Sequence, residues 1–280
     1  MDSIRVALAK AKGSLRQPIP HHEAESPPRG DQLNSAFPDP GTRPAKANQP
    51  WRPPHVTPAA ESLRKNRIVS YAMTDPSHVA FNLLRTRLRA ITKDRNWSRI
   101  AVTSPTSGCG KTTVCVNLAL SLSRMPDCRV VALDFDLKKP AVASTLGITA
   151  AGSLGNFLEA HLGTAESCFV ELSENLVLGL NHSQHRHSSE LMHSERVDDL
   201  FAFISAALKP DIILIDLPPM RTSDDALAVM PKIDAALLVA AAGTTTALDL
   251  DECEQQISKF EKLLGVVLNK SENAADDYYY

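Results

Sequence analysis

Between residues 101 and 113 the chain reads Ala-Val-Thr-Ser-Pro-Thr-Ser-Gly-Cys-Gly-Lys-Thr-Thr. A β-branched, apolar run ends in a loop of small residues, and a helix-patterned stretch, Val114 to Leu120, follows. Strand, glycine-bearing loop, Lys-Thr and helix together make a phosphate site. Successive main-chain N–H groups form a cradle, and the helix N-terminus adds partial positive charge. Ser107, Gly108, Cys109, Gly110, Lys111, Thr112 and Thr113 are the candidate lining. Lys111 is expected to reach the β- and γ-phosphates, and the Thr112 hydroxyl to ligate Mg²⁺. Pro105 stands where the usual G-x-x-x-x-G-K-[ST] pattern has its first glycine, so corroboration must come from elsewhere in the chain.

Two acidic elements supply it. Val130-Val131-Ala132-Leu133 runs into Asp134-Phe135-Asp136, and alternation along a strand sends Asp134 and Asp136 one way and Phe135 the other. Two carboxylates on one side of a strand end are costly unless a cation or a proton-transfer role stabilises them. Beside a phosphate loop that cation is Mg²⁺, held through oxygens and water. Either aspartate alone could instead cap the following helix. Ile212-Ile213-Leu214-Ile215-Asp216-Leu217-Pro218-Pro219 is the second element: a buried strand with one aspartate at its end, the Walker B layout, with Asp216 on the metal.

The elements that must position these residues alternate. Apolar strand-like runs lie at 99–104, 129–134, 175–180, 211–216, 235–241 and 265–269, with helical patterns between most of them. This predicts an α/β fold, a mainly parallel sheet with helices on both faces, with the ligand beyond the strands' carboxyl ends. A further amphipathic helix is expected over about 77–92, after Asp75-Pro76. Residues 1–16 carry Ile4, Ala7, Leu8, Ala11 and Leu15 at helical spacing and read as a short amphipathic helix, either frayed or docking on a membrane protein or lipid headgroups. Residues 17–60 hold eleven of the nineteen prolines and few large apolar residues. The span 17–73 therefore reads as a disordered, Pro-rich and then basic linker ahead of a 74–270 catalytic domain and a 271–280 tail.

Composition narrows the class. A net charge of −2 gives no general attraction to nucleic acid, and no nucleic-acid partner is expected. The five cysteines form no C-x-x-C pair, which reads as free thiols in a reducing cytoplasm. No apolar run approaches the ~20 residues that span a bilayer. His182, His185, His187 and His193 crowd one stretch, yet no metal-ligand spacing repeats there, so a polar loop is expected rather than a zinc site.

Taken in order, Gly-Cys-Gly-Lys-Thr-Thr, Leu-Asp-Phe-Asp-Leu-Lys-Lys-Pro and Ile-Asp-Leu-Pro-Pro resemble the bacterial tyrosine kinases (BY-kinases) of exopolysaccharide and capsule synthesis, within the MinD/ParA-like P-loop ATPases. The resemblance spans about residues 74–280. It implies an ATP- and Mg²⁺-dependent protein-tyrosine autokinase in which Lys111 and Thr112 hold phosphates and metal. Asp134 and Asp136 correspond to the Walker A′ acids, with Asp134 activating the tyrosine hydroxyl and also near the metal. Asp216 is the Walker B acid, and Asn269 stands where related ATPases contact adenine. Lys138 replaces the family's usual arginine after Asp-x-Asp, and Cys109 replaces its usual glutamate. Cys109 is either a tolerated substitution or a redox-sensitive thiol, since a helix N-terminus lowers thiol pKa. Of the Glu-x-x-Arg-x-x-Arg oligomerisation motif only Arg85 remains, with Val79 and Asn82 at the other two places.

Three of the four tyrosines are the last three residues, Tyr278, Tyr279 and Tyr280, after Asp276-Asp277. From Asn269 such a tail reaches at most ~36–40 Å, enough for a neighbouring subunit's phosphate loop. The resemblance makes these the phosphoacceptors, in trans, in a homo-oligomer built on tail exchange. It also implies a separately encoded transmembrane polysaccharide co-polymerase as activator, a cognate tyrosine phosphatase, and a cytoplasmic location tied to the inner membrane through that partner. The alternative is a MinD/ParA-type ATPase switch without kinase activity. Such switches carry a second lysine early in the loop, where this chain has Thr106.

Overall fold

The computed structural model describes residues 3–7, 51–149, 151–159 and 164–271. Its strands are β1 (Ser3–Ala7), β2 (Arg99–Thr103), β3 (Val130–Asp134), β4 (Phe169–Ser173), β5 (Leu176–Gly179), β6 (Ile212–Asp216), β7 (Ala235–Ala241) and β8 (Leu263–Ser271). They form one sheet in the order β1-β8-β7-β2-β6-β3-β5-β4. The six inner strands run parallel, whereas β1 and β4 are antiparallel to their neighbours. The helices are α1 (Ala60–Lys65), α2 (His78–Arg95), α3 (Lys111–Ser123), α4 (Val142–Leu146), α5 (Leu154–Leu158), α6 (Ser188–His193), α7 (Glu195–Ala207), α8 (Asp225–Val229) and α9 (Ala247–Ser258).

Strand alternation divides the core in two. Ile100, Val102, Ala132, Leu214 and Leu237 face α2 and α3, where they meet Leu84, Leu88, Val114 and Leu118. Ala101, Leu133, Ile213, Ile215 and Leu238 face the opposite layer, with Leu200, Phe201 and Ile204 of α7 and Ile257 of α9. The same parity sets the site. Asp134 falls two residues after Ala132 and Asp216 two after Leu214, so both carboxylates emerge on the α3 side. Parallel pairing of β3 with β6 puts Asp134 directly opposite Asp216. β2 sits between β7 and β6, where the strand order switches direction and ligands of such sheets collect.

Helix α3 is buried along most of its length, because α2 lies over it. Its one buried amide, Asn117, has its groups partnered: Oδ1 accepts from Ser70 N, and Nδ2 donates to Arg67 O and Thr113 O. The helix expected over 77–92 is α2 at His78–Arg95. Its arginines turn partly inward rather than forming a wholly solvated face. Arg85 donates to Ser121 O and Arg89 pairs with Asp211.

Two expectations fail at the N-terminal side. Ser3–Ala7 is a strand against β8 rather than part of a helix over 1–16. The alternation Ile4-Arg5-Val6, with two β-branched residues, suits a strand as well as a helical stripe, and the β8 edge offers main-chain partners. The linker expected over 17–73 is structured from Trp51 onward. Residues 51–58 lie along β4, with Glu171 N donating to Pro54 O and Val56 N donating to Glu171 O. Trp51 packs on Phe169 and Phe203 at ring-centroid distances of 6.3 and 5.5 Å. Leu63 of α1 and Ile68 are buried. Prolines cannot donate to a ladder but do lie along sheet edges, which is why a Pro-rich composition did not exclude this packing. Residues 8–50 and the tyrosines at 278–280 lie outside the described residues.

Trp51→Ala removes the aromatic clamp on this strap. We expect a loss of about 1–3 kcal/mol, below the range for a fully buried tryptophan because Trp51 is half-buried, read as a lower urea midpoint with an unchanged slope.

Candidate nucleotide site

β2 ends at Thr103, and residues 104–110 turn tightly into α3. Gly108 and Gly110 adopt φ of +84° and +87°, backbone that L side chains rarely enter. Gly110 is also crowded: a Cβ there would stand 2.3 Å from Asn269 Nδ2. The loop beyond β6 is bonded to this turn. Thr103 Oγ1 donates to Pro218 O, Met220 N to Ser104 O and Arg221 N to Pro105 O, at 2.8 to 3.1 Å. The prolines at 218 and 219 lack N–H groups, so Pro218 only accepts and the main-chain donors are Met220 and Arg221 beyond them. Pro105, the departure from the glycine pattern, is thus an acceptor position in this zipper.

Thr112, in the first turn of α3, donates to Asp216 Oδ2 at 2.6 Å. Lys111 Nζ lies 2.8 Å from Asp136 Oδ2 and 3.7 Å from Asp216 Oδ1. Asp134 accepts the Ala141 and Val142 amides on Oδ2, both at 2.9 Å. One oxygen of Asp134 therefore caps α4, and the other, Oδ1, is buried without a partner. The capping reading of this residue is met on Oδ2, and Oδ1 is left with no hydrogen bond. Phe135 and Leu137 are fully buried in the opposite layer, so the alternation that separates them from Asp134 and Asp136 is enforced by packing.

Charge in this volume is finely set. Burial raises the Asp134 carboxyl well above the ordinary aspartate range, and the Asp216 charge adds to it. Asp216 is raised too, by burial first, although Lys111 and the Thr112 hydroxyl pull it down. Burial works against the Lys111 ammonium, but Asp216, Asp136 and Asp134 outweigh it and hold its pKa up. Oδ1 of Asp134 and Oδ1 of Asp216 accept no hydrogen bond, the latter lying in ion-pair range of Lys111 Nζ. A divalent oxygen-seeking cation fits that set. Among the described residues no three His, Cys, Asp or Glu side chains close on a metal by themselves. Mg²⁺ held by a hydroxyl, one or two carboxylates, water and phosphate oxygens needs no such cluster.

The remaining predicted residues fall around this centre. Asn269, at the end of β8, donates from Nδ2 to Cys109 O at 2.8 Å, so its amide buttresses the phosphate loop. The Cys109 thiol is buried between the Thr106 and Thr245 hydroxyls, at 3.6 and 3.5 Å. Burial pushes its pKa up, and hydrogen bonds from Thr245 and Thr106 more than cancel that, leaving it below the usual thiol value. Lys138 Nζ donates to Ser223 Oγ at 2.8 Å and pairs with buried Asp225 at 3.3 Å. This tie between the loops after β3 and β6 was not read from the sequence, since Asp225 looks like any first-turn acid of a helix. The histidines do not converge: His182, His187 and His193 are exposed and His185 is buried.

Residues 97–277 match the ParA family model, described as an NUBPL iron-transfer P-loop NTPase. The chain is 31% identical over 210 residues to the tyrosine-protein kinase wzc of Salmonella typhi, covering 73% of this chain and 28% of that protein. It is 31% identical over 185 residues to the tyrosine-protein kinase CpsD of Streptococcus pneumoniae, covering 64% of this chain and 78% of that one. The chain thus spans about a quarter of the first relative and over three quarters of the second. The fold is similar to the kinase domain of Escherichia coli tyrosine kinase ETK, with a TM-score of 0.67 at 22% identity, over 80% of this chain and 92% of that one.

Asp134→Asn keeps an acceptor for the Ala141 and Val142 amides and removes a charge that burial disfavours. Its folded pKa is raised, so wild type is penalised above the ordinary aspartate range and not below it. At pH 7 without nucleotide the variant should be the more stable, read as a higher Tm. That advantage should fade as pH falls through the ordinary aspartate range, as thermal melts across pH will show. Gly110→Ala should abolish nucleotide binding in a fluorescent-ATP titration, because its Cβ meets Asn269 and its φ is strained.

Proposed function

The chain belongs to the bacterial tyrosine kinases within the ParA-type P-loop NTPases, and from that membership we propose that it transfers the γ-phosphoryl group of ATP to protein tyrosine. The observation that carries the reading is the buried group of Lys111, Thr112, Asp134, Asp136 and Asp216, with two carboxylate oxygens left open beside the phosphate loop. Main-chain amides of 107–113 bind the phosphates, and Lys111 neutralises their charge while Asp136 orients its ammonium. Thr112 and Asp216 would hold Mg²⁺, with Asp134 near it; the ion would supply charge neutralisation on the phosphate oxygens. Asp134 Oδ1 accepts the tyrosine proton. A carboxylate whose pKa burial has raised is the better proton acceptor, and the caps on Oδ2 fix its aim. Catalysis then rests on positioning and electrostatics rather than on a covalent intermediate.

The acceptors are Tyr278, Tyr279 and Tyr280, phosphorylated in trans between copies that exchange tails. The resemblance to capsule and exopolysaccharide kinases supports a role in polysaccharide synthesis or export, with a transmembrane co-polymerase as activator and a phosphatase resetting the tail. Among the described residues no helix is long and apolar enough to cross a membrane, so that partner would supply the membrane link. Asn269 serves both the loop, through Nδ2, and adenine.

The test is incubation of the full chain with labelled ATP and Mg²⁺, read as phosphotyrosine. Lys111→Met should abolish the label. Replacing all three tail tyrosines with Phe should abolish it too, while ATP binding stays unchanged. Label undiminished in the tail variant removes the acceptor assignment. Steady ATP hydrolysis with no phosphotyrosine, even with a membrane activator present, moves the chain to the ATPase switch.

A further inference from the structure

His185 is the buried member of the histidine-rich loop that follows β5. Its ring bridges two segments: Nδ1 lies 2.6 Å from Glu159 Oε1, and Nε2 lies 2.9 Å from Ser183 Oγ. Ionised Glu159 can only accept, so Nδ1 carries the hydrogen of that bond. The imidazole rests on Gly155 of α5, where a Cβ would come within 2.1 Å of Nε2. His185 N also donates to Leu137 O at 2.9 Å, one residue beyond Asp136.

A Ser-His-Glu string is the geometry of nucleophile activation. Here, though, the hydroxyl is already engaged inside the protein. Ser183 Oγ is 3.1 Å from Asn156 Oδ1 and 3.2 Å from Ser153 Oγ as well as bonded to the ring. The string ends in a polar cluster, not at an open face, and acts as a clamp. What it clamps is the segment that carries both Walker A′ acids. Leu137 is fully buried, and its carbonyl is held by the His185 amide. On the other side of Asp136, the Phe135 amide donates to Asp216 O at 2.9 Å. Asp136 therefore sits between two main-chain anchors, one from β6 and one from the histidine loop.

We infer that His185 is a positioning residue for phosphoryl transfer: clamped by Glu159 and Ser183, it fixes Leu137 and so aims Asp136 at Lys111 and Asp134 at the acceptor. The inference rests on the phosphoryl-transfer reading above. Among the described residues the clamp makes no bond to the main chain of the phosphate loop and reaches Lys111 only through Asp136, so loosening it should cost turnover more than ATP binding.

The experiment measures ATP turnover by the full chain, with phosphotyrosine read in the same samples. His185→Ala should lower kcat by about tenfold or more, as small misplacements near reacting groups do, with KM for ATP within about twofold. His185→Gln, which keeps a donor and an acceptor, should recover most of the rate. Glu159 is about one-third exposed (32%), so Glu159→Ala, which removes the same clamp from a less buried position, should fall in the same direction even where His185→Ala folds poorly. An unchanged kcat in both alanine variants overturns the inference, as does a loss shared between KM and Tm that the Gln variant does not recover. Turnover in wild type without phosphotyrosine fails the kinase reading alone, because the His185 effect is read on turnover.

Discussion

The site depends on one electrostatic constraint: three carboxylates and one ammonium share a largely buried volume at the start of α3. Strand register brings Asp134 level with Asp216, two like charges that neither burial nor Coulomb's law favours together. Lys111 offsets part of this, at 2.8 Å from Asp136 and 3.7 Å from Asp216, and its own pKa rises in return. The balance is incomplete, since an oxygen of Asp134 and one of Asp216 remain without hydrogen-bond partners. Buried carboxylate oxygens without hydrogen bonds beside a lysine form a set that suits a divalent cation and phosphate. The cost is carried by the two apolar layers on either side of the sheet.

Packing keeps that arrangement from relaxing. Phe135 and Leu137 are inserted into the α7 side of the core, and Phe135 stacks at 6.1 Å from Phe201. Asp134 and Asp136 cannot rotate away without withdrawing large side chains from close packing. Beyond the strand ends, the loops are joined to each other: the β6 loop to the phosphate turn, Lys138 to Asp225, Asn269 to Cys109. The phosphate loop is held on several sides before any ligand arrives, which lowers the ordering cost of binding.

The cluster at the candidate site was legible because its residues are local in sequence. Gly110-Lys111-Thr112 is one turn, and Asp134, Asp136 and Asp216 each end a recognisable apolar strand. The two-residue period even gave the side on which Asp134 and Asp136 project. What escaped reading is what the chain brings together from afar. Lys138 with Asp225, and His185 with Glu159 and Leu137, are pairs whose members carry no local signal of each other. Strand β4 was missed because Glu171 and Ser173 break up the apolar run of Phe169-Val170-Glu171-Leu172-Ser173, an antiparallel strand at the rim of an otherwise parallel pattern. The 17–73 boundary failed at its C-terminal end because composition measures whether a segment can build its own core, and Trp51 and Leu63 borrow one.

The strap along β4 changes what counts as the smallest separable unit of this protein. A cut at residue 74, where composition alone would place it, strips residues 51–58 from the sheet's rim. Main-chain groups of Glu171 and the rings of Phe169 and Phe203 would then face solvent. An uncovered strand edge with aromatic neighbours is a template for pairing with other chains. The autonomous piece therefore begins at or before Trp51, and the segment ahead of the catalytic domain belongs to it as a seal.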